Sequence, residues 1–178
     1  RSPAPTPAAQ LESPEGTIDI NSPFYIERVN DHVALTAIQR RGVTITIKGP
    51  RQMGKSSLLV RIINQATEIN KRVAFLDFQL FDHDALHDAD RFFQQFSAWL
   101  TDTLELPDKV AEYWNNALGN SQRCTRYVGR YILKELGEPL VLAMDEVETI
   151  FDTPFRSDFF GMLRGWHNER ASNDAWNK

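Results

Sequence analysis

Cysteine is almost missing from this chain. Cys124 is the single one among 178 residues, so an internal disulfide and a cysteine-built metal cluster are both excluded, in keeping with a reducing compartment. The thiol is expected to be an ordinary buried or half-buried one. Long apolar runs are lacking as well: no stretch approaches the roughly 20 residues that span a bilayer, and the N-terminus carries no basic-then-apolar leader. A cytoplasmic location without membrane contact is the expectation. Positive charge is also in short supply. Twenty Lys and Arg against 24 Asp and Glu leave a net charge of −4, which makes no broad electropositive field; nucleic-acid binding is not favoured, despite the local trio Arg40, Arg41 and Lys48.

What is present suffices for one packed domain, with 42% hydrophobic residues and 11% aromatics. Residues 1–20 are rich in proline and alanine and hold little that could be buried, so they are expected to be a flexible tail or linker, with the core over 21–178. A short helix is expected over Asp31–Arg41 through Val33, Leu35, Ala37 and Ile38, ended by Gly42. Phe92, Phe93, Phe96, Leu100 and Leu104 form the stripe of a helix over Asp90–Leu104, and this stripe reads as core. Another helix is expected over Thr125–Leu136, with Tyr127, Tyr131, Ile132 and Leu136 inward and Gly137 and Pro139 closing it. A last helical pattern runs from Phe155 to Arg170. Strands are expected at Val43–Lys48, Val73–Phe78 and Leu140–Glu146; alternating with helices, they make an α/β protein with a parallel sheet sandwiched by helices.

One of these strands leads into an unusual loop. The β-branched run Val43-Thr44-Ile45-Thr46-Ile47 breaks into Gly49-Pro50-Arg51-Gln52-Met53-Gly54-Lys55-Ser56, followed by helical spacing at Leu58, Leu59, Ile62, Ile63 and Ala66. Strand, glycine-bounded loop with Lys-Ser at its end, and helix are the order of a phosphate-binding P-loop. Gly49 and Gly54 allow torsions that a side chain would forbid, so successive N–H groups can turn inward around an anion. The helix from Gly54 adds the positive end of its dipole, and Lys55 can reach β and γ phosphates as a point charge. Ser56 is left to hold Mg²⁺ through its hydroxyl, with Ser57 beside it on the nucleotide side.

The second half of such a site is expected at the end of Leu140-Val141-Leu142-Ala143-Met144-Asp145-Glu146. Ligands of open parallel sheets bind beyond the carboxyl ends of the strands. Asp145 would therefore share Mg²⁺ with Ser56, and Glu146 would orient and polarise the attacking water. An acid directly after the metal-binding one points to water as the acceptor rather than a small metabolite. Asp77, at its own strand end, either reaches the site or caps the next turn. His83 and His87, with Asp84 and Asp88, are expected to be a solvated loop and helix cap rather than metal ligands.

The motifs together resemble the bacterial AAA-like domain family of P-loop ATPases, close to the STAND signalling NTPases. The resemblance rests on SPFYIERVND, IKGPRQMGKSSLL, VAFLDFQL, LVLAMDEVETIF and DFFGMLRGWHNE and covers most of the chain after Asn21. It implies an ATP-binding and ATP-hydrolysing switch module of a larger signalling protein, with self-association or partner-domain contacts. The alternative is a nucleotide-gated scaffold without significant hydrolysis. It also implies that Phe24, Tyr25, Ile26 and Arg28 line the adenine and ribose side; by residue type alone Phe24 and Tyr25 would be core. Glu27 stands where the family has glycine, and Glu148 where it often has Asp. Arg156 or Arg164 could serve as an arginine finger, although exposed or salt-bridged arginines are commoner. The strand that normally carries a γ-phosphate sensor, and the C-terminal lid after it, have no counterpart after Trp166; either the chain is a fragment, which is the expectation, or the sheet is completed differently.

Overall fold

The computed structural model describes residues 29–48, 54–115 and 117–176. The tail expected over 1–20, the box of Phe24, Tyr25, Ile26 and Arg28, and the loop residues Gly49, Pro50, Arg51, Gln52 and Met53 lie outside the described residues.

Helix α1, Val29–Ala37, is shorter than expected at its C-terminal end. Its inward face is Asp31, Ala34 and Ile38, spaced i, i+3, i+7, which turns Val33 outward to 64% exposure against expectation. Helix α2, Lys55–Glu68, buries Leu58, Ile62 and Ala66 at every fourth position, with Leu59 and Ile63 on the flanks. It ends in a Schellman turn: Lys71 N–H bonds to Ala66 and Asn70 N–H to Thr67, with Asn70 left-handed at φ 57°. The Lys71 ammonium then donates to the carbonyls of Ile38 and Arg40, clamping the end of α1 beside α2. Burial, aided by the Arg41 charge, holds the Lys71 pKa below its ordinary value.

Strands β1, Arg72–Asp77, and β2, Leu140–Asp145, pair in parallel with Arg72 opposite Leu140 and Asp77 opposite Asp145. They are the only two strands among the described residues. Side-chain alternation divides the sheet: Ala74, Leu76, Leu142 and Met144 join one apolar cluster, while Val73 and Val141 join the cluster around Leu58, Ile62 and Ala66 of α2. Helices therefore cover both faces, and Asp145, in phase with Val141 and Ala143, lies on the face that α2 covers.

The strand expected at Val43–Lys48 does not join this sheet. A strand needs a ladder partner, and residues 43–48 have none among the described residues. The run still alternates, with Ile45 and Ile47 against the α2 cluster and Thr44 and Thr46 exposed. Side chains hold it instead: Thr44 Oγ1 lies 3.0 Å from His167 Nδ1, and Arg170 donates to Thr44 Oγ1 at 3.3 Å.

The larger cluster is built on α3, Ala89–Thr103, whose first turn is capped by the Asp88 carboxylate accepting from Arg91 N–H. Phe92, Phe93, Phe96, Leu100 and Leu104 are all buried, as their stripe requires. Phe92 stacks on Phe155 at 4.6 Å and meets Phe159 edge-on at 5.5 Å. Each such ring removed from water stabilises by roughly 1.5–3 kcal/mol. A short helix that periodicity did not foretell, α4, Val110–Trp114, precedes α5, Asn120–Tyr127. The latter begins earlier than expected because Gln122 reaches back to accept from Gly119 N–H. It passes through a π turn, Val128–Ile132, into α6, Leu133–Leu136, closed by left-handed Gly137 at φ 65°. Tyr127, Tyr131 and Ile132 are buried, whereas Leu136 is only partly so. Helix α7, Arg156–Glu169, seals the cluster with Phe159, Met162 and Trp166. No helix among the described residues is long and apolar enough to cross a membrane.

Candidate functional site

The sheet's carboxyl edge and the start of α2 meet. Gly54 occupies the left-handed region, φ 72° and ψ 26°, as the N-cap of α2, a backbone state that a β-carbon would strain. The helix begins directly after it with Lys55, Ser56 and Ser57, whose N–H groups are among those that a helix start leaves without an intrahelical acceptor. Ser57 is buried, while Lys55 and Ser56 are half-buried.

Across 89 residues of chain, Ser56 Oγ donates to Asp145 Oδ2 at 2.8 Å. The other oxygen of Asp145 accepts from the Glu146 N–H at 2.9 Å, which fixes the carboxylate plane. The parity of β2 explains the meeting: Asp145 points to the side of the sheet that α2 occupies. A hydroxyl and a carboxylate are hard oxygen donors of the kind that hard cations take. Among the described residues no three His, Cys, Asp or Glu side chains gather into a metal cage. Two protein donors suit an ion that keeps water and phosphate oxygens as its other ligands.

Glu146 adopts the left-handed conformation, φ 52° and ψ 34°, which is unfavourable by roughly 1–2 kcal/mol for a side chain of this kind. The turn is held by Thr149, whose N–H and hydroxyl both bond to the Glu146 carbonyl, at 3.0 and 2.7 Å. Thr149 escaped the sequence reading. A threonine three residues after a strand-end acid is a weak signal for such a support, because hydroxyls make these local bonds in many settings.

Other expected residues sit apart from this centre. Asp77 accepts from Gln79 N–H and so caps the turn Phe78–Leu80, the second of its two expected roles. His83 and His87 stack at 4.4 Å between ring centres on an exposed turn, with His87 Nδ1 on the His83 carbonyl and Asp88 engaged as the cap of α3. Arg156 donates to the Phe151 carbonyl, and Arg164 is exposed. Glu148 is also exposed. Cys124 is fully buried, and burial pushes its thiol up to about 12, with the Ser97 hydroxyl bond opposing the shift.

The cluster that joins Thr44, His167 and Arg170 had no signal in the sequence, since Thr44 lies more than a hundred residues from the other two. It matters to the site because the run 43–48 leads into the glycine loop. Burial lowers the pKa of Arg170 there.

Compared with known proteins, residues 13–178 match the family model described as AAA-like domain. No curated protein and no solved structure matches the chain.

Proposed function

The chain belongs to the AAA-like domain family, a footing that suggests a nucleotide-binding module, and we propose that it is an ATP-binding and ATP-hydrolysing switch whose centre is the junction of α2 and β2. The observation that carries the proposal is the 2.8 Å hydrogen bond between Ser56 and Asp145. In this reading the main-chain amides from Gly49 to Ser56, with Ser57 next to them, cradle the phosphates. Lys55 neutralises the β and γ phosphates, and Tyr25 and Arg28 line the base and ribose side.

Ser56 and Asp145 would hold Mg²⁺ between them. When bound, the ion neutralises charge on the phosphate oxygens. Glu146, held at a strained torsion beside the carboxylate, orients and polarises water. Binding of the phosphate tail at the loop would bear on the run 43–48, and through Thr44 it would reach His167 on α7 and Arg170 at its end. That supplies a route from nucleotide to a surface where partners or further copies of the chain are met.

The test uses nucleotide affinity and phosphate release measured side by side. Lys55→Ala is expected to abolish binding, whereas Glu146→Gln keeps affinity and loses turnover. Equal effects of both substitutions overturn the assigned roles. Tight ATP binding with no phosphate release by the full-length protein turns the reading to a nucleotide-gated scaffold.

A further inference from the structure

Away from the nucleotide centre, one concave surface stands out by its charge. Leu118, Ser121, Gln122, Thr125, Arg126 and Arg130 line a shallow hollow of about 600 Å³ along α5 and the π turn, largely open to solvent. The chain as a whole is acidic, yet two guanidinium groups and no carboxylate line this hollow. Arg126 Nε is buried and has no hydrogen-bond partner among the described residues. A buried donor of an always-charged group is unfavourable without an acceptor; being buried, Nε itself is out of a docking partner's reach, and the terminal nitrogens of the fork are what such a partner would meet.

The other polar side chains have already committed oxygens inward. Thr125 Oγ1 accepts from Trp166 Nε1 at 2.8 Å, and Gln122 Oε1 accepts from Gly119 N–H. Ser121 Oγ donates to the Asp158 carbonyl. The lining sets no carboxylate against its two arginines, and the acceptor that two planar guanidinium forks match best is an anion. The π turn bears on this directly. Arg130 lies within it, and single π turns inside helices recur at functional sites. Trp176 seats against Gly129 in the same turn so closely that a β-carbon there would come to 3.0 Å from the indole.

We propose that this hollow docks an extended acidic segment of a partner protein. A Glu or Asp carboxylate is received between Arg126 and Arg130, and a neighbouring aliphatic side chain rests on Leu118 and the arginine stems. The open side argues for a segment rather than a small molecule, since small-ligand sites enclose most of their ligand. Docking here would read out the face of α5 that is bonded to α7 through Ser121 and Thr125.

The test is fluorescence anisotropy of a labelled peptide of alternating Glu and Leu on the full chain at physiological salt, without nucleotide. The alternating Gln–Leu peptide is the control. The Glu–Leu peptide is expected to bind and the Gln–Leu peptide not to. The double change Arg126→Gln, Arg130→Gln weakens binding by roughly tenfold or more, as expected for a charge pair removed from a carboxylate. Because that variant loses the packing of half-buried Arg126, Gln122→Glu serves as the second: Glu at this position keeps the capping acceptor for Gly119 N–H, so folding is preserved, while its charge repels the peptide by about threefold. Equal binding of the two peptides overturns the proposal, and so does affinity that neither variant changes. Displacement of the peptide by inorganic phosphate at similar concentration also overturns it, because the hollow is then a site for a free anion.

Discussion

Removing the Ser56 hydroxyl and the Asp145 carboxylate, singly and together, asks how firmly the start of α2 is tied to the end of β2. The bond is short, 2.8 Å, and its acceptor is a carboxylate. Such bonds contribute about 1.5–3 kcal/mol net when shielded from water. Both side chains are half-buried, so water competes, and the pair is expected to contribute about 1 kcal/mol. The single Asp145→Ala value is a poor guide. It also removes the bond to Glu146 N–H, while relieving the repulsion from Asp77, which stands opposite Asp145 in the ladder. The double-mutant cycle cancels both effects. Urea unfolding of the four proteins in EDTA is expected to give unchanged m values and a coupling energy of about 1 kcal/mol. In nucleotide binding with Mg²⁺ present, the same pair is expected to couple again, since both side chains would then act on one ion. A stability coupling below about 0.3 kcal/mol, the usual additivity error, would refute the claim that this hydrogen bond ties the two elements, and with it the main support for a shared site.

Glu146→Gly is expected to raise stability by about 1 kcal/mol in urea melts, because glycine removes the left-handed penalty, while ATP turnover disappears. Glu105→Gly is its control: Glu105 is also left-handed, in the Schellman turn ending α3, and its 3.6 Å ion pair with Arg72 is exposed, so a similar gain is expected with turnover intact. Cys124 should resist thiol reagents in the folded chain and react on unfolding. Its raised pKa makes its contribution to stability complete below pH 9 and progressively lost as pH rises toward 12. By pH 10 the unaltered chain should have lost about 1.4 kcal/mol more than Cys124→Ala, read from urea midpoints at pH 8 and 10. Gly129→Ala, which in an ordinary helix would stabilise by about 1 kcal/mol, should instead lower the melting temperature, because the new methyl meets Trp176.

Much of this molecule follows from local pattern. The stripe of Phe92, Phe93, Phe96, Leu100 and Leu104 is buried because a period of 3.6 leaves it no other way to leave water. Glycine at position 54 is free to take the left-handed torsion from which α2 departs, and the unbroken apolar run before Asp145 makes a parallel strand with its acids at the carboxyl end. Hydrophobic period, glycine torsion and strand parity are properties of a few consecutive residues, so the longer helices, the two paired strands and the acidic edge were legible from them, though α4 was not. Parity alone, however, does not say which face α2 will cover, and the meeting of Ser56 with Asp145 is settled only when the sheet is packed. The same holds for the run 43–48, whose strand-like alternation is genuine but which has no ladder partner among the described residues. The Thr44, His167 and Arg170 contacts and the arginine-lined hollow on α5 are likewise products of packing. They join side chains distant in sequence, or rest on a π turn that no residue spacing announces, and long-range contact is the one quantity that local physical chemistry does not encode.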